Sequence, residues 1–297
     1  MRIRMLCLAG ALLVLGCAAS PPVQTSAPRA QPEVARLSLL IDGKPTEVVA
    51  ELYKPAGAGP FPLVIFSHGR AGSSVGRARL RDPVAVAHGN YWLRRGVAVV
   101  APERPGYGET GGADVEDSGA HWRGAQCFGN PDYTRTAEHA RRTVLATYEW
   151  ALQQPWVRKD RILLEGQSVG GMTTIATAAL NLPGVVGAVN FSGGAGGNPH
   201  SSPGRSCMPD HLTETYRQFG RQARVPSLWL YAQNDQYWGP KMPGIWFQAY
   251  QAGGSDAELV TTGPVQGYDG HQLLLHGGPM WRTPLDAFVK RVGLLAP

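Results

Sequence analysis

Apolar residues along this chain recur in two ways. Short continuous or alternating runs bounded by Gly, Pro, Asn or Asp read as strands, and longer stretches with apolar residues at helical spacing read as helices. Residues 36–42 and 46–53 alternate enough to form an antiparallel opening pair joined near Asp42-Gly43-Lys44. Phe61-Pro62-Leu63-Val64-Ile65-Phe66 is a continuous apolar third strand, followed by strands over 97–101, 161–165 and 184–191, then near 227–232 and 257–262. Between them the pattern predicts helices over 83–95 (stopped by Gly96), from Pro131-Asp132 to about 154, over 169–180, and over 284–292. The long helix sets Ala137, Ala140, Val144, Leu145 and Tyr148 on one face. Residues 192–212, with Gly193-Gly194-Ala195-Gly196-Gly197, read as an irregular insertion. The expected class is α/β: one domain with a mostly parallel eight-stranded sheet flanked by helices.

Gly166-Gln167-Ser168-Val169-Gly170 joins the fifth strand to its helix. A G-x-S-x-G pentapeptide there is the context of a nucleophile elbow, a turn so tight that the serine is strained and glycine flanks it. Such a turn exposes the serine hydroxyl and aims the free N–H groups of the next helix at an oxyanion. A serine nucleophile needs a base, and the base needs an orienting carboxylate. Asp235 follows the strand at 227–232, and His271 lies in the loop after the strand at 257–262. Both leave the edge of the sheet where Ser168 emerges, in the chain order serine, acid, histidine. Ser168, Asp235 and His271 are therefore the expected triad. A turn acid and a loop histidine are the bland readings of the last two.

With those residues in view, the chain resembles the α/β-hydrolase superfamily, and within it the dienelactone hydrolase-like serine esterases and lipases. The resemblance runs from about Val48 onward. It rests on Ser67-His68-Gly69-Arg70, Pro102-Glu103-Arg104-Pro105-Gly106-Tyr107-Gly108, the elbow, Tyr231-Ala232-Gln233-Asn234-Asp235 and Asp269-Gly270-His271. It implies an oxyanion hole made by the backbone N–H groups of Arg70 and Val169, with the Arg70 guanidinium left to solvent. His68 precedes the elbow and is expected to brace its loop rather than act as the base. The group's naming enzyme carries cysteine at the elbow. Ser168 in its place points away from dienelactone and toward ordinary esters.

Composition narrows the picture. The 297 residues, 43% hydrophobic, fill one large core, and neither repeat, heptad nor long charge run is present. Net charge is +6, or +4 once Arg2 and Arg4 are removed with residues 1–16. That surplus is modest and scattered, so nucleic acid is not an expected partner. His200, Cys207, Asp210 and His211 are metal-ligand types, but their spacing fits no common zinc pattern, and neither metal nor cofactor is expected. Tyr107, Trp122, Phe128, Trp238 and Trp246 are candidates for an apolar acyl pocket or for the core.

Residues 1–16 read as a signal peptide with a basic start and a short apolar stretch, ending in Val14-Leu15-Gly16-Cys17, which resembles a bacterial lipobox. Cys17 is then the lipid attachment site, and residues 17–35 a flexible tether before a catalytic domain over 36–297. Ordinary signal-peptidase cleavage near Ala19 is the alternative. By resemblance, the lack of aspartate after Cys17 favours the outer membrane, periplasmic side; free periplasmic protein is the other outcome. Cys127 and Cys207 are expected to form a disulfide in that oxidising setting, with two separate thiols as the alternative.

The expected function is that of an exported, monomeric serine hydrolase that cleaves a small-molecule carboxylic ester through an acyl-enzyme. A peptidase, amidase or acyltransferase on the same triad remains open, as does a surface lipoprotein that binds without hydrolysing.

Overall fold

The computed structural model describes residues 30–295. Residues 1–29, with the expected signal peptide, Cys17 and most of the tether, lie outside them.

Eight strands form the central sheet: β1 (Glu33–Ile41), β2 (Lys44–Tyr53), β3 (Phe61–Ser67), β4 (Ala98–Pro102), β5 (Val157–Gln167), β6 (Val185–Phe191), β7 (Ser227–Ala232) and β8 (Ala257–Thr262). Their spatial order is β1-β2-β4-β3-β5-β6-β7-β8. β2 alone runs against its neighbours; every other pairing from β4 to β8 is parallel. The β1–β2 hairpin turns on Asp42 and Gly43, both with positive φ (52° and 73°), as a two-residue turn matched to the twist of a hairpin requires. β1 starts at Glu33, so three residues assigned to the tether are already strand.

Continuous apolar runs suit strands covered on both faces. In β3, Val64 and Phe66 enter the core on one side, while Leu63 and Ile65 enter the core on the other. β7 divides the same way, with Leu228 and Leu230 opposite Trp229 and Tyr231. Helices α1 (Val86–Leu93) and α6 (Gly278–Arg291) cover the first face. Across the sheet lie α2 (Tyr133–Leu152), α3 (Val169–Ala178), α4 (Pro209–Gln222) and α5 (Met242–Gln251). Ala137, Ala140, Val144 and Tyr148 of α2 are buried as their spacing predicts, and Leu145 is half-buried.

Several boundaries differ from the pattern's prediction. α1 is shorter than 83–95 because Pro83-Val84 and Ala85 precede its first turn. α6 opens at Gly278 with Pro279 in its first turn, and Pro284 lies inside it rather than starting it. The insertion at 192–212 contains a small hairpin, Gly197–Asn198 with Ser202–Ser206, and its end already belongs to α4. Among the described residues no helix is long and apolar enough to cross a membrane.

Candidate active site

Ser168 stands between β5 and α3 with φ 58° and ψ −126°, a strained conformation that a serine keeps only when its surroundings enforce it. Its N–H donates to Phe191 O (2.9 Å), and its carbonyl accepts from Gly194 N (3.1 Å) and Met172 N (3.1 Å). Glycine is required on both sides. A Cβ on Gly166 would sit 2.8 Å from Ser67 O, and one on Gly170 would run into the Ser67 and His68 carbonyl oxygens. All ten residues of α3 are buried, and its small side chains bring its N-terminus against the end of β3.

Asp235 leaves the C-terminal end of β7 and is buried. Its Oδ1 accepts from Tyr237 N (2.7 Å) and Trp238 N (3.1 Å), and its Oδ2 meets His271 Nδ1 at 3.0 Å. With the carboxylate on Nδ1, the imidazole offers Nε2 as its free nitrogen. His271 is held from three other directions. Its N–H donates to Asp269 Oδ1 (2.9 Å), and its carbonyl accepts from Gln167 Nε2 (2.9 Å). The Tyr237 ring stacks on it with centroids 4.0 Å apart.

Ser168 and His271 line the same cavity. The Ser168 hydroxyl makes no hydrogen bond among the described residues. The three residues expected from the sequence are thus brought to one place, with the acid–histidine contact formed and the serine open.

The loop after β3 lies on Ser168: a Cβ on Gly69 would be 3.4 Å from Ser168 Cβ. The Arg70 and Val169 N–H groups donate to no protein acceptor among the described residues, and Val169 is the first residue of α3. The Arg70 side chain is not left to solvent. Its guanidinium binds Asp114 Oδ1 and Oδ2 at 2.7 Å each, and that hydrogen-bonded pairing holds the Asp114 carboxyl below its ordinary range. A neighbouring carboxylate on the 102–116 loop was not foreseen.

His68 braces its loop as expected. Nδ1 donates to Gly69 O (2.7 Å), and Nε2 accepts from Arg104 N (3.1 Å). Burial, and then the Arg104 charge, hold its imidazole well below the usual histidine range, so it stays neutral. Arg104 itself escaped the sequence reading. Wholly buried, it binds Glu116 (Nε to Oε1, 2.6 Å), Ser67 Oγ (3.0 Å) and His68 O (2.6 Å), tying the loop after β3 to the one after β4. Its only signal was the Pro102–Gly108 run. Gln167 was likewise unmarked beyond its place inside the elbow.

Cys127 and Cys207 form a disulfide with Cα atoms 5.4 Å apart. It joins the hairpin His121–Arg123/Gln126–Phe128 to the start of α4, and Trp122 Nε1 adds a bond to Gly196 O (3.1 Å). Cys207 is therefore committed, and His211 Nδ1 bonds Pro131 O (2.8 Å). The aromatic pocket expected from the sequence is mostly core: Tyr107, Trp238 and Trp246 are buried, Phe128 is exposed, and only Trp122 and Trp238 line the cleft beside Ser168.

No protein-family model and no curated protein matches this sequence. Solved structures do. A 2,6-dihydroxy-pseudo-oxynicotine hydrolase superposes with a TM-score of 0.58 at 17% identity, over 89% of this chain and 69% of that one. A Pyrococcus furiosus esterase gives 0.58 at 13%, over 87% and 90%. A Klebsiella pneumoniae protein assigned as a dienelactone hydrolase gives 0.56 at 17%, over 90% and 99%. The likeness covers the mostly parallel eight-stranded sheet and its flanking helices: the chain has the α/β-hydrolase fold.

Proposed function

We propose that the protein is a serine hydrolase that cleaves carboxylic esters through an acyl-enzyme. One observation carries the reading: Ser168, at a strained strand-to-helix turn, opens onto the same cavity as a histidine whose Nδ1 is bound by a buried aspartate. A turn with no chemistry has no need of that strain beside that pair.

Ser168 Oγ attacks the ester carbonyl carbon, and its proton passes to His271 Nε2. The oxyanion is held by the N–H groups of Arg70 and Val169. Collapse breaks the bond to the alkoxy oxygen, which takes the proton from His271 and leaves as the alcohol. Water then attacks the acyl-serine with His271 as base, releasing the acid and restoring Ser168. Asp235 keeps the imidazole oriented and stabilises its cation.

Fluorophosphonate labelling of the purified protein, together with hydrolysis of p-nitrophenyl acetate, tests this. Both are expected, and both are lost in Ser168→Ala. A labelled protein that turns over amides but no ester would make it a peptidase or amidase. An unlabelled, inert one would make it a binding protein.

Export by a signal peptide over residues 1–16 with lipid attachment at Cys17 is proposed on the sequence alone, and the Cys127–Cys207 disulfide is compatible with it. Cys17→Ser is expected to release the protein from the membrane fraction with its chemistry intact. Retention in the membrane would overturn the anchor.

A further inference from the structure

We infer that the two clefts meeting at Ser168 divide one ester between them, with an uncharged polar acyl group on one side and an apolar alcohol on the other. This rests on the serine hydrolase reading above. One cleft measures about 650 Å³ and the other about 580 Å³. Ser168, Arg70 and Tyr237 line both, so a bond held at the serine sits at their junction.

Proton transfer sets the direction of the substrate. The alkoxy oxygen must receive its proton from His271, so it lies on the His271 side. His271 lines only the second cleft, and Val169 only the first. The alcohol therefore departs through the second cleft, and the acyl group stays on Ser168 in the first.

The two sets of walls differ in chemistry. Phe66, Leu80, Pro83, Val86, Leu274 and Leu275 make the alcohol cleft mostly apolar, with Asp82 its one carboxylate. The acyl cleft is lined by Ser118, His121, Trp122, Asn198 and His200, together with a set of ion pairs. There Arg70 and Arg77 share Asp114, Arg104 binds Glu116 from behind, and Asp117 adds a third carboxylate. With Arg104 behind the wall counted, three guanidinium groups balance three carboxylates, so no net charge is left to select a charged acid. An aliphatic acyl chain would strip water from these imidazole, amide and hydroxyl groups and return no hydrogen bond. An acyl group carrying its own amide or hydroxyls replaces that water.

The test compares two esters of opposite polarity on the full chain: benzyl N-acetylglycinate, with a polar acid and an apolar alcohol, and 1-octanoylglycerol, the reverse. Fluorophosphonate labelling of Ser168 is run beside them. The benzyl ester is expected to show the higher kcat/KM by at least about tenfold. Two substitutions at exposed positions assign the sides. His200→Phe is expected to narrow the preference by favouring octanoate. Leu275→Asp is expected to lower the benzyl ester more than the methyl ester of the same acid. Labelling with a preference for 1-octanoylglycerol, or with His200→Phe and Leu275→Asp acting on the opposite halves, overturns the division and leaves the hydrolase intact. Absence of both labelling and hydrolysis overturns the hydrolase reading and the division with it.

Discussion

Tyr237 and His271 are joined twice. Their rings stack with centroids 4.0 Å apart and planes 27° from parallel, and the Tyr237 N–H donates to the Asp235 carboxylate that binds the imidazole. One residue thus fixes both the ring of the proposed base and its acid. Tyr237→Ala is expected to lower kcat by about tenfold or more, because a loosened imidazole spends less time aligned with Ser168. Tyr237→Phe keeps the stack and the N–H, and its kcat should stay close to that of the parent. Steady-state kinetics on both variants with one p-nitrophenyl ester checks this. An inactive Tyr237→Phe would show instead that the phenol oxygen takes part.

Two aspartates touch His271, and they do different things. Asp235 meets the ring, whereas Asp269 accepts the His271 and Gln236 backbone N–H groups. Asp235→Asn puts an amide against Nδ1 and is expected to cut kcat by on the order of 10⁴. Asp269→Asn still offers an oxygen acceptor to both N–H groups and should cost only a few-fold. Rates of fluorophosphonate labelling measured in parallel separate the two. A crippled Asp269→Asn beside a healthy Asp235→Asn would exchange their roles.

The disulfide closes a loop of 80 residues, long enough for cross-linking to stabilise by about 2–4 kcal/mol. Cys127→Ser and Cys207→Ser should lower Tm by similar amounts. The double variant should be no worse than either single, since the second change removes nothing further. Thermal melts of all three, with the parent under reductant as a fourth curve, decide the matter; additive losses would mean that each cysteine stabilises separately.

Stability should also depend on pH through Glu51, buried where β2 pairs with β4 and with Oε2 unpartnered. Burial, then the Asp82 and Glu103 carboxylates nearby, push its pKa up to about 7. A carboxyl with a raised folded-state pKa holds its proton more tightly when folded, so its penalty is absent below the unfolded value of 4.5, grows between there and about 7, and is complete above. Glu51→Gln, neutral at every pH, should stabilise the protein at pH 8.5 by on the order of 2 kcal/mol and change little at pH 4. Denaturant midpoints at the two pH values test it; an equal effect at both would exclude titration of Glu51 as the cause.

Much of this was legible because apolar runs and tight turns are local signals. β7 and β8 begin and end where the residue pattern puts them, and Ser168, Asp235 and His271 converge as their chain order implies. α4 and α5 went unread, although Leu212, Thr215, Tyr216 and Phe219 of α4 do recur at helical spacing. The Gly-rich stretch before α4 carries the stronger local signal, and that signal is for irregular structure. The Arg104–Glu116 and Arg70–Asp114 pairs were beyond reach for another reason. A guanidinium looks the same in a sequence whether water or a carboxylate faces it, and only folding of the 102–116 loop over the end of β3 decides which.

Gly170 lets α3 rest directly on the Ser67 and His68 carbonyls, main chain against main chain. The contact that sets the Ser168 turn against the loop after β3 is therefore backbone, and it does not depend on the side chains of the outer cleft walls. A library that randomises Trp122, Asn198, His200 or Leu275 would vary the cleft walls while the Ser168 turn stays fixed. Any residue larger than glycine at 170 would do the opposite, shifting the serine and both N–H donors together, and no second-site change in the cleft walls could restore them. Directed evolution of this protein has a boundary drawn by that one contact.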